Sequence, residues 1–374
     1  MQIGYDAKRL FCNHRGLGNY SRDLIRILSE FYPDNQYNLY TPMIKIDVKI
    51  NPSNTQIFKP AGAYQFMPSA LWRTFGITGA IKKNGDEIFH GLNQEIPVGI
   101  EKLKVKKVIT FHDAIFIRYP ELYDASYRKI FTAKNQRSCR IADKIIAISE
   151  QSARDAIEFF GADPSKVEVV YQGCNNIFRQ KATAEARNAI RAKYNLPADY
   201  LLFVGAIEPR KNIGAIIRAL ANDRIDIPLV VVGRKTDYIQ ELAALTNELK
   251  LTNQVIFLHN VETIDLPSMY QMADIFIYPS IFEGFGIPIL EALCSETPVI
   301  TSHGSCFEET GGEHTIYVDP TDADEIANSI KMILENVDLR QKMVTEGVSH
   351  SDKFTDEKIA ENLSNLYTLV NSFY

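Results

Sequence analysis

The feature of this sequence that most limits its fold is the alternation of short apolar runs with longer helical patterns. Some runs, such as LVVV at 229–232, are apolar at every position. Uninterrupted apolar strands are typical of parallel sheets, because helices cover both faces of such a sheet. The sequence therefore predicts an α/β fold with right-handed crossovers. Predicted strands occupy residues 3–5, 37–40, 87–90, 107–110, 144–148, 167–170, 200–204, 228–232, 255–258, 275–278, 298–301 and 316–318.

The strands form two series, and a polar helical stretch at 183–194 lies between them. A chain of 374 residues has room for two to three domains. We place the domain boundary near 178, which gives domains at 1–178 and 179–355. Residues 356–374 contain an amphipathic helix, because leucines and an isoleucine recur there at helical spacing. We predict that this helix packs back toward the first domain, although its apolar face suits either domain.

Composition excludes several classes of protein. Hydrophobic residues make up 45% of the chain and charged residues 23%, which is usual for globular proteins and not for disordered or coiled-coil ones. The five cysteines are scattered and include no CxxC pair, so we expect a reducing compartment, the cytoplasm, rather than a disulfide framework or zinc site. No signal peptide and no apolar run of membrane-spanning length is evident, so we expect any membrane contact to be peripheral.

The net charge of −5 hides a difference between the two halves of the chain. Residues 1–178 carry 24 Lys and Arg against 18 Asp and Glu, a net charge of +6, and the remainder carries 17 against 28, a net charge of −11. A basic half suggests an anionic surface or partner, such as the inner face of a membrane. The alternative is that two solvated surfaces simply differ in sign, and the sequence leaves both open.

The strongest motif is EGFGIPILE at 283–291, which follows the predicted strand at 275–278. Its glycines allow backbone amides to approach a ligand closely, and the proline marks the first turn of a helix. A helix N-terminus beside glycines suits an anionic or hydroxyl-rich ligand. Glu283 would lie in the loop and Glu291 about one turn into the helix, so two carboxylates eight residues apart can hold different parts of one elongated ligand. The alternative is a surface loop with a capping glutamate.

Two further glycine-containing segments follow predicted strands. In GAIEPRKN at 205–212, adjacent Arg210 and Lys211 at a helix start suit a phosphate or diphosphate, although such pairs are more often solvated. In RGLGNY at 15–20, the glycines resemble a dinucleotide fingerprint, but Ser21 stands where its third glycine would be. Gly16 could still bring backbone close to a phosphate.

Polar residues also end the strand at 107–110. His112 could donate to a substrate oxygen while Asp113 orients it, although a lone His-Asp pair is more often structural. The DAD sequence at 322–324 has the spacing of a metal-binding motif, but it opens a helix, so Asp322 is expected to be an N-cap. We expect no resident metal or cofactor and no nucleic-acid partner.

Taken together, these motifs resemble those of the family 4 retaining glycosyltransferases of GT-B fold, particularly bacterial mannosyltransferase-like members. The resemblance covers nearly the whole chain. It rests on the segments at 6–9, 16–20, 111–113, 148–152, 208–212, 283–291, 309–312 and 318–320. It implies two Rossmann-like domains whose parallel sheets face a central cleft, with an N-terminal acceptor-binding domain and a C-terminal nucleotide-sugar donor-binding domain.

The resemblance also implies residue roles. Glu283 would bind donor-sugar hydroxyls, Glu291 the ribose, and His112 the donor sugar across the cleft. Arg210 and Lys211 would neutralise the donor diphosphate in place of a metal ion. The other donor-binding positions it implies are Gly16, Arg234, Val261, Gly284, Phe285 and Gly286.

The reaction that the resemblance implies is transfer of a hexose, with mannose favoured, to a glycan or lipid-linked acceptor in cell-surface polysaccharide synthesis. The donor would be GDP-mannose or a UDP-hexose, and the anomeric configuration would be retained while the leaving phosphate helps to deprotonate the acceptor. Two alternatives remain: a GT-B sugar-nucleotide epimerase, or a non-catalytic module that binds nucleotide sugars. The donor base and the acceptor stay undetermined at this point.

Overall fold

The structure, a computed structural model, describes residues 1–14, 16–222 and 225–372. The chain divides into two compact units. Unit 1 comprises Met1–Gly173 together with Asp356–Tyr374, and unit 2 comprises Cys174–Thr355. Arg15, the first residue of the predicted glycine segment, lies outside the described residues. Among the residues described, none of the helices is both long and apolar enough to cross a membrane.

Unit 1 contains a parallel sheet that is seven-stranded within the described residues, in the order β3-β2-β1-β4-β5-β6-β7. Its strands are β1 (Gln2–Asp6), β2 (Gln36–Tyr40), β3 (Thr55–Phe58), β4 (Ile88–Gly91), β5 (Lys106–Phe111), β6 (Lys144–Ala147) and β7 (Val167–Val169). Six of these were predicted from the sequence. The edge strand β3 was not, because its sequence TQIF buries only its first residue fully and carries no continuous apolar run.

Unit 2 contains a second parallel sheet, six-stranded within the described residues, in the order β10-β9-β8-β11-β12-β13. All of its strands were predicted to within two residues: β8 (Leu201–Val204), β9 (Leu229–Val232), β10 (Val255–Leu258), β11 (Ile275–Tyr278), β12 (Val299–Ser302) and β13 (Ile316–Val318). In both sheets the strand order reverses direction beside the first strand, at β1/β4 and at β8/β11. Doubly wound sheets bind ligands at the carboxyl ends of the strands at such a switch point.

Helices connect the strands, as the parallel arrangement requires. Their bounds are α1 (Lys8–Cys12), α2 (Gly16–Phe31), α3 (Ser69–Leu71), α4 (Ile77–Asn84), α5 (Ile115–Arg118), α6 (Ala125–Ile141), α7 (Glu150–Phe160), α8 (Ala184–Tyr194), α9 (Ile213–Asn222), α10 (Tyr238–Glu248), α11 (Leu266–Met272), α12 (Ile287–Cys294), α13 (Phe307–Gly311), α14 (Ala323–Glu335), α15 (Val337–Ser351) and α16 (Asp356–Ser372). Asp322 is the N-cap of α14, since its carboxylate accepts hydrogen bonds from two backbone amides of the first turn. The prediction of a capping role for this residue is therefore confirmed.

The last helix, α16, supplies part of the core of unit 1. Its Ile359, Leu363 and Leu366 are buried in the same apolar cluster as residues of β1, α2 and β2. A buried polar chain adds to this contact: the Tyr367 hydroxyl lies 2.7 Å from His90 Nδ1 and 3.3 Å from the Tyr5 hydroxyl. Burial lowers the pKa of His90 to about 3, so its ring is neutral and acts as a structural bridge between α16 and the sheet.

Candidate active site

Two loops at the switch point of unit 2 bring the strongest predicted residues together. One follows β8 and carries Arg210 and Lys211; the other follows the adjacent strand β11 and carries Glu283. The loops are joined directly, because the backbone amide of Ile281 donates to the carbonyl of Arg210 at 2.9 Å. The sequence prediction placed the two cations at a helix start. They lie instead in a short 3₁₀ turn, Pro209–Lys211, one residue before α9.

The carboxylate of Glu283 is the centre of a hydrogen-bonded group that we call the Glu283 cluster: Arg210, Lys211, Tyr278, Ser280 and Glu283. Its Oε1 accepts from the guanidinium of Arg210 at 3.0 Å, the hydroxyl of Tyr278 at 3.1 Å and the hydroxyl of Ser280 at 2.6 Å. Lys211 Nζ donates to the same oxygen and, at 2.6 Å, to the Tyr278 hydroxyl. Tyr278 and Ser280 were not predicted as site residues, although a Tyr-Pro-Ser strand end was visible in the sequence.

The charges of this cluster hold Glu283 ionised. Burial alone would raise the pKa of its carboxyl, but Lys211 and Arg210 outweigh burial and lower it to about 2. Burial lowers the pKa of Lys211, and the charge of Glu283 opposes that shift. Arg210 also pairs with Glu208 at 2.7 Å, so two cations face two carboxylates. Arg210 and Lys211 are therefore positioned to bind the negatively charged groups of a ligand.

One oxygen of Glu283 is left for a ligand. Within residues 1–14, 16–222 and 225–372, every hydrogen bond to this carboxylate ends on Oε1. The side chain is 12% exposed, and Oε2 keeps its acceptor capacity. An ionised carboxylate in this state is suited to accept hydrogen bonds from the hydroxyls of a sugar.

The loop after Glu283 ends in a backbone conformation that requires glycine. Gly286 has φ of +90° and precedes α12, and a Cβ at this position would lie 3.1 Å from the side chain of Ile289. Phe285 points into the core of unit 2, where its ring packs edge-on against Phe354. The loop between Gly284 and Gly286 can therefore present only backbone to a ligand, beside the N-terminus of α12.

Glu291 lies in the second turn of α12, as predicted. Its Oε2 accepts from the hydroxyl of buried Tyr270 at 3.0 Å, which fixes the direction of the carboxylate. Burial and the charge of Glu291 together raise the pKa of Tyr270, so the tyrosine remains a donor.

Arg234 and Val261 follow the neighbouring strands β9 and β10, at the same edge of the sheet. Arg234 is exposed and Val261 is half-buried. Gly233 has no room for a side chain, because a Cβ there would lie 2.1 Å from the carbonyl oxygen of Gly205. His259, which the sequence did not single out, donates from Nδ1 to the Gly233 carbonyl at 2.7 Å. No described contact joins Arg234 or Val261 to the Glu283 cluster.

The remaining predicted residues lie in unit 1. His112 is buried, and its Nε2–H donates to the carbonyl of Leu92 at 2.9 Å. Burial lowers the pKa of His112 to about 4, so the ring is neutral and Nδ1 is an acceptor. In this tautomer the Nε2–H of His112 is used by Leu92, and Nδ1 can accept a hydrogen bond from a ligand. Asp113 accepts from the backbone amide of Ile115 at 3.1 Å.

The two glycines at the start of α2 have different surroundings. Gly16 is the first residue of α2, is exposed and has open space around it. Gly18 is the sterically constrained one, since a Cβ there would lie 1.8 Å from the carbonyl oxygen of Asn13. The second glycine therefore serves the packing of α1 on α2.

Comparison with known proteins agrees with both halves of this description. Residues 16–176 match the family model described as Glycosyltransferase Family 4, and residues 186–350 match the model described as Glycosyl transferases group 1. The chain belongs to the family 4 glycosyltransferases. Its resemblance to this family, inferred from the sequence motifs, is confirmed.

Several relatives of this glycosyltransferase are named mannosyltransferases. O-antigen chain mannosyltransferase B of Escherichia coli is 28% identical over 296 residues, which cover 78% of this chain and 76% of the relative. O-antigen chain mannosyltransferase RfbU of Salmonella typhimurium is 31% identical over 229 residues, covering 61% and 60%. The serotype-specific mannosyltransferase WbdA of Escherichia coli is 26% identical, but the chain spans only 34% of its length.

Solved structures agree on the fold. A glycosyltransferase from Rickettsia africae superimposes with a TM-score of 0.79 at 17% identity, covering 100% of this chain and 99% of that one. Sucrose-phosphate synthase from Thermosynechococcus elongatus gives 0.79 at 20% identity, with 99% of each chain covered. HepE from Anabaena, solved with UDP and glucose, gives 0.74 at 17% identity, covering 99% and 100%. The two Rossmann-like units are thus those of a GT-B glycosyltransferase, as predicted.

Proposed function

We propose that this glycosyltransferase moves a hexose, with mannose favoured, from a nucleotide-diphosphate sugar to a glycan or lipid-linked acceptor in cell-surface polysaccharide synthesis. We further propose that it retains the anomeric configuration and needs no metal ion. The observation that carries the proposal is the Glu283 cluster, where two cations and a free carboxylate oxygen meet at the switch point of unit 2.

The cations would stabilise the leaving group. Negative charge grows on the donor diphosphate as the bond to the sugar breaks, and preorganised positive charge at that position lowers the barrier. Arg210 and Lys211 are held in place before any ligand arrives, by Glu208 and by Glu283. The amides at the start of α12 would add partial positive charge. Together these groups supply the charge that a divalent cation supplies elsewhere.

The carboxylates would orient the donor. Oε2 of Glu283 would accept from sugar hydroxyls, and Glu291 from the ribose. In unit 1, neutral His112 would accept from a sugar hydroxyl through Nδ1, and the acceptor substrate would bind to this unit. We propose further donor contacts by Gly16, Arg234, Val261, Gly284, Phe285 and Gly286. The leaving phosphate would take the proton of the acceptor on the same face of the sugar, which yields retention.

The experiment that tests this proposal incubates the purified chain with GDP-mannose, UDP-glucose or UDP-galactose and a panel of lipid-linked and glycan acceptors. We expect transfer from one donor, undiminished by EDTA, with an α-linked product from an α-linked donor by NMR. Glu283→Ala should abolish transfer, whereas Glu208→Gln, which alters the half-exposed partner of Arg210, should retain most of it.

Other outcomes would contradict the proposal. Release of free nucleotide with an altered sugar and no acceptor product would identify an epimerase. Calorimetric binding of nucleoside diphosphates without turnover on any acceptor would identify a binding module. Inversion of the anomeric carbon, or activity that EDTA removes, would refute the retaining or metal-independent part while leaving the transferase intact.

We also propose that the enzyme works in the cytoplasm, in peripheral contact with anionic membrane. Unit 1 exposes large apolar side chains close together in sequence: Phe66 is 90% exposed and Phe75 56%, with Tyr64 and Leu71 between 45% and 50%. Residues 1–178 carry a net charge of +6. Vesicles containing anionic lipid should sediment with the protein at low salt, and Phe66→Ser should reduce this more than Phe31→Ser. Equal binding to neutral vesicles would contradict the electrostatic part.

A further inference from the structure

Two cysteines far apart in sequence meet inside unit 2. The Sγ atoms of Cys174 and Cys294 lie 3.3 Å apart, although 120 positions separate them. Their side chains are 4% and 7% exposed, and neither forms a disulfide in this structure. Cys174 is the first residue of unit 2, and Cys294 is the last residue of α12. A contact between two sulfurs at this distance needs only a small movement to become a covalent bond, whose length is about 2.05 Å.

Of the two, Cys294 has a route to solvent. It lines an open pocket of about 320 Å³ whose other walls include Arg179, Lys181, Arg187 and Glu296. Three cations line this pocket, of which Lys181 pairs with Glu296 at 2.9 Å and Arg179 with Asp352 at 3.3 Å. A small polar reagent in this pocket would reach Cys294.

The surroundings also divide the two thiols into different roles. The thiol of Cys174 donates a hydrogen bond to the sulfur of Cys294. That hydrogen bond lowers the pKa of Cys294 against the effect of burial, and the charge of Arg179 contributes in the same direction. The same hydrogen bond, together with burial, raises the pKa of Cys174. Thiolate character favours reaction with oxidants, so Cys294 is the more reactive of the pair.

We propose that Cys294 and Cys174 form a reversible disulfide in which Cys294 is the peroxide-reactive thiol and Cys174 the resolving one. The thiolate of Cys294 attacks one oxygen of hydrogen peroxide, the O–O bond breaks, and hydroxide leaves, giving a sulfenic acid. The sulfur of Cys174 then attacks the sulfenic sulfur and gives up its proton, and water leaves as the S–S bond forms. Overall, two thiols and one peroxide give one disulfide and two waters. A dithiol reductant reverses the step.

The disulfide would join the residue at which the chain enters unit 2 to the end of the helix that carries Glu291. It would close a loop between positions 174 and 294 that contains β8 to β11 and the Glu283 cluster. Closing a loop of this length stabilises the folded state, because the cross-link lowers the conformational entropy of the unfolded chain. Oxidation should therefore stabilise unit 2 and restrain α12 at its C-terminal end.

The test uses the full chain under native conditions. Hydrogen peroxide is added at micromolar concentration, remaining thiols are alkylated, and peptides are mapped by mass spectrometry without reduction. We expect a linked peptide that joins Cys174 to Cys294 and disappears on addition of dithiothreitol. In Cys174→Ser, Cys294 should instead be labelled by dimedone, a reagent for sulfenic acids, about tenfold more than any other cysteine. Cys294→Ser should lose the linked peptide, while Cys139→Ser should still form it.

The wild-type measurement keeps the proposal open to refutation even if a variant fails to fold. The proposal would be overturned if peroxide oxidised only the more exposed Cys12, so that Cys174 and Cys294 were both recovered as alkylated thiols. A linked peptide that forms only in urea would also overturn it. If dimedone labels Cys174 in the Cys294→Ser variant as fast as it labels Cys294 in the Cys174→Ser variant, the assigned roles are wrong. None of these outcomes depends on whether the chain transfers sugar.

Discussion

Replacing Glu283 with Gln tests the electrostatics of the Glu283 cluster separately from catalysis. Gln has nearly the shape of Glu and still offers a carbonyl oxygen to the donors around it, but it carries no charge. Lys211, only 7% exposed, would then lose the carboxylate that balances it. Removing one partner of a buried ion pair costs about 3–5 kcal/mol, since the other charge stays buried without compensation.

The pKa of Glu283 gives an independent value for the same cost. The folded state lowers it from 4.5 to about 2, and each unit corresponds to about 1.36 kcal/mol, so the ionised carboxylate adds about 3 kcal/mol of stability at neutral pH. Because the folded pKa is the lower one, this contribution is complete well above pH 4.5 and is lost as the pH falls toward 2. At pH 3.5 about 2 kcal/mol should remain.

Thermal unfolding of wild type and Glu283→Gln, followed by calorimetry at pH 7 and pH 3.5, measures both quantities. At pH 7 we expect the Tm of unit 2 to fall by roughly 6–12 °C, at about 2–4 °C per kcal/mol for a unit of its size. The difference in Tm between wild type and Glu283→Gln should be smaller at pH 3.5. Glu208→Gln, which removes a more exposed carboxylate, should cost about 1 kcal/mol or less. If wild type and Glu283→Gln differ in unfolding free energy by less than about 1 kcal/mol at pH 7, or if the difference does not change with pH, the reasoning is refuted.

Three further changes probe other features. Lys211→Ala should weaken binding of nucleoside diphosphates about tenfold or more in calorimetric titration, because one of two cations facing the phosphates is lost; unchanged affinity would contradict its proposed role. Tyr367→Phe should destabilise unit 1 by about 1–3 kcal/mol in urea unfolding, since it leaves Nδ1 of buried His90 without its partner; a change under 0.5 kcal/mol would count against the bridge. Gly286→Ala should lower the free energy of unfolding by at least about 1 kcal/mol in urea unfolding, because φ at this position is +90°. Gly79→Ala lies in helix α4 with open space around it, so its free energy of unfolding should be unchanged or higher by about 0.5–1 kcal/mol. Equal effects of the two glycine changes would contradict the strain argument.

The sequence predicted features that depend on local patterns. Apolar runs such as Leu229–Val232 identify buried parallel strands because every side chain meets a covering helix. The start of α12 beside Gly286 and the cap at Asp322 are likewise local, since each depends on a few neighbouring residues. For the same reason the edge strand β3, half-exposed and without an apolar run, could not be recognised.

The sequence could not predict how the site residues pair. Lys211 and Glu283 are 72 positions apart, and their contact follows from the adjacency of β8 and β11 in the folded sheet. The sharing of Oε1 by four donors depends on that adjacency and on the hydroxyls of Tyr278 and Ser280, whose directions are set only in the folded loop. The tautomer of His112 depends in the same way on the carbonyl of Leu92, twenty residues earlier in the chain.

The placement of α16 has a consequence for how the protein is made on the ribosome. The apolar cluster of unit 1 includes Ile359, Leu363, Leu366 and Val370, which are translated after all of unit 2. Unit 1 is thus synthesised first but can complete its core last, and in the interval it exposes the surface that α16 will cover. Contacts between distant parts of a chain form slowly, because a long loop must close before they are made. A stop codon that removes only the last helix would therefore leave the first unit unfinished while the second unit is intact.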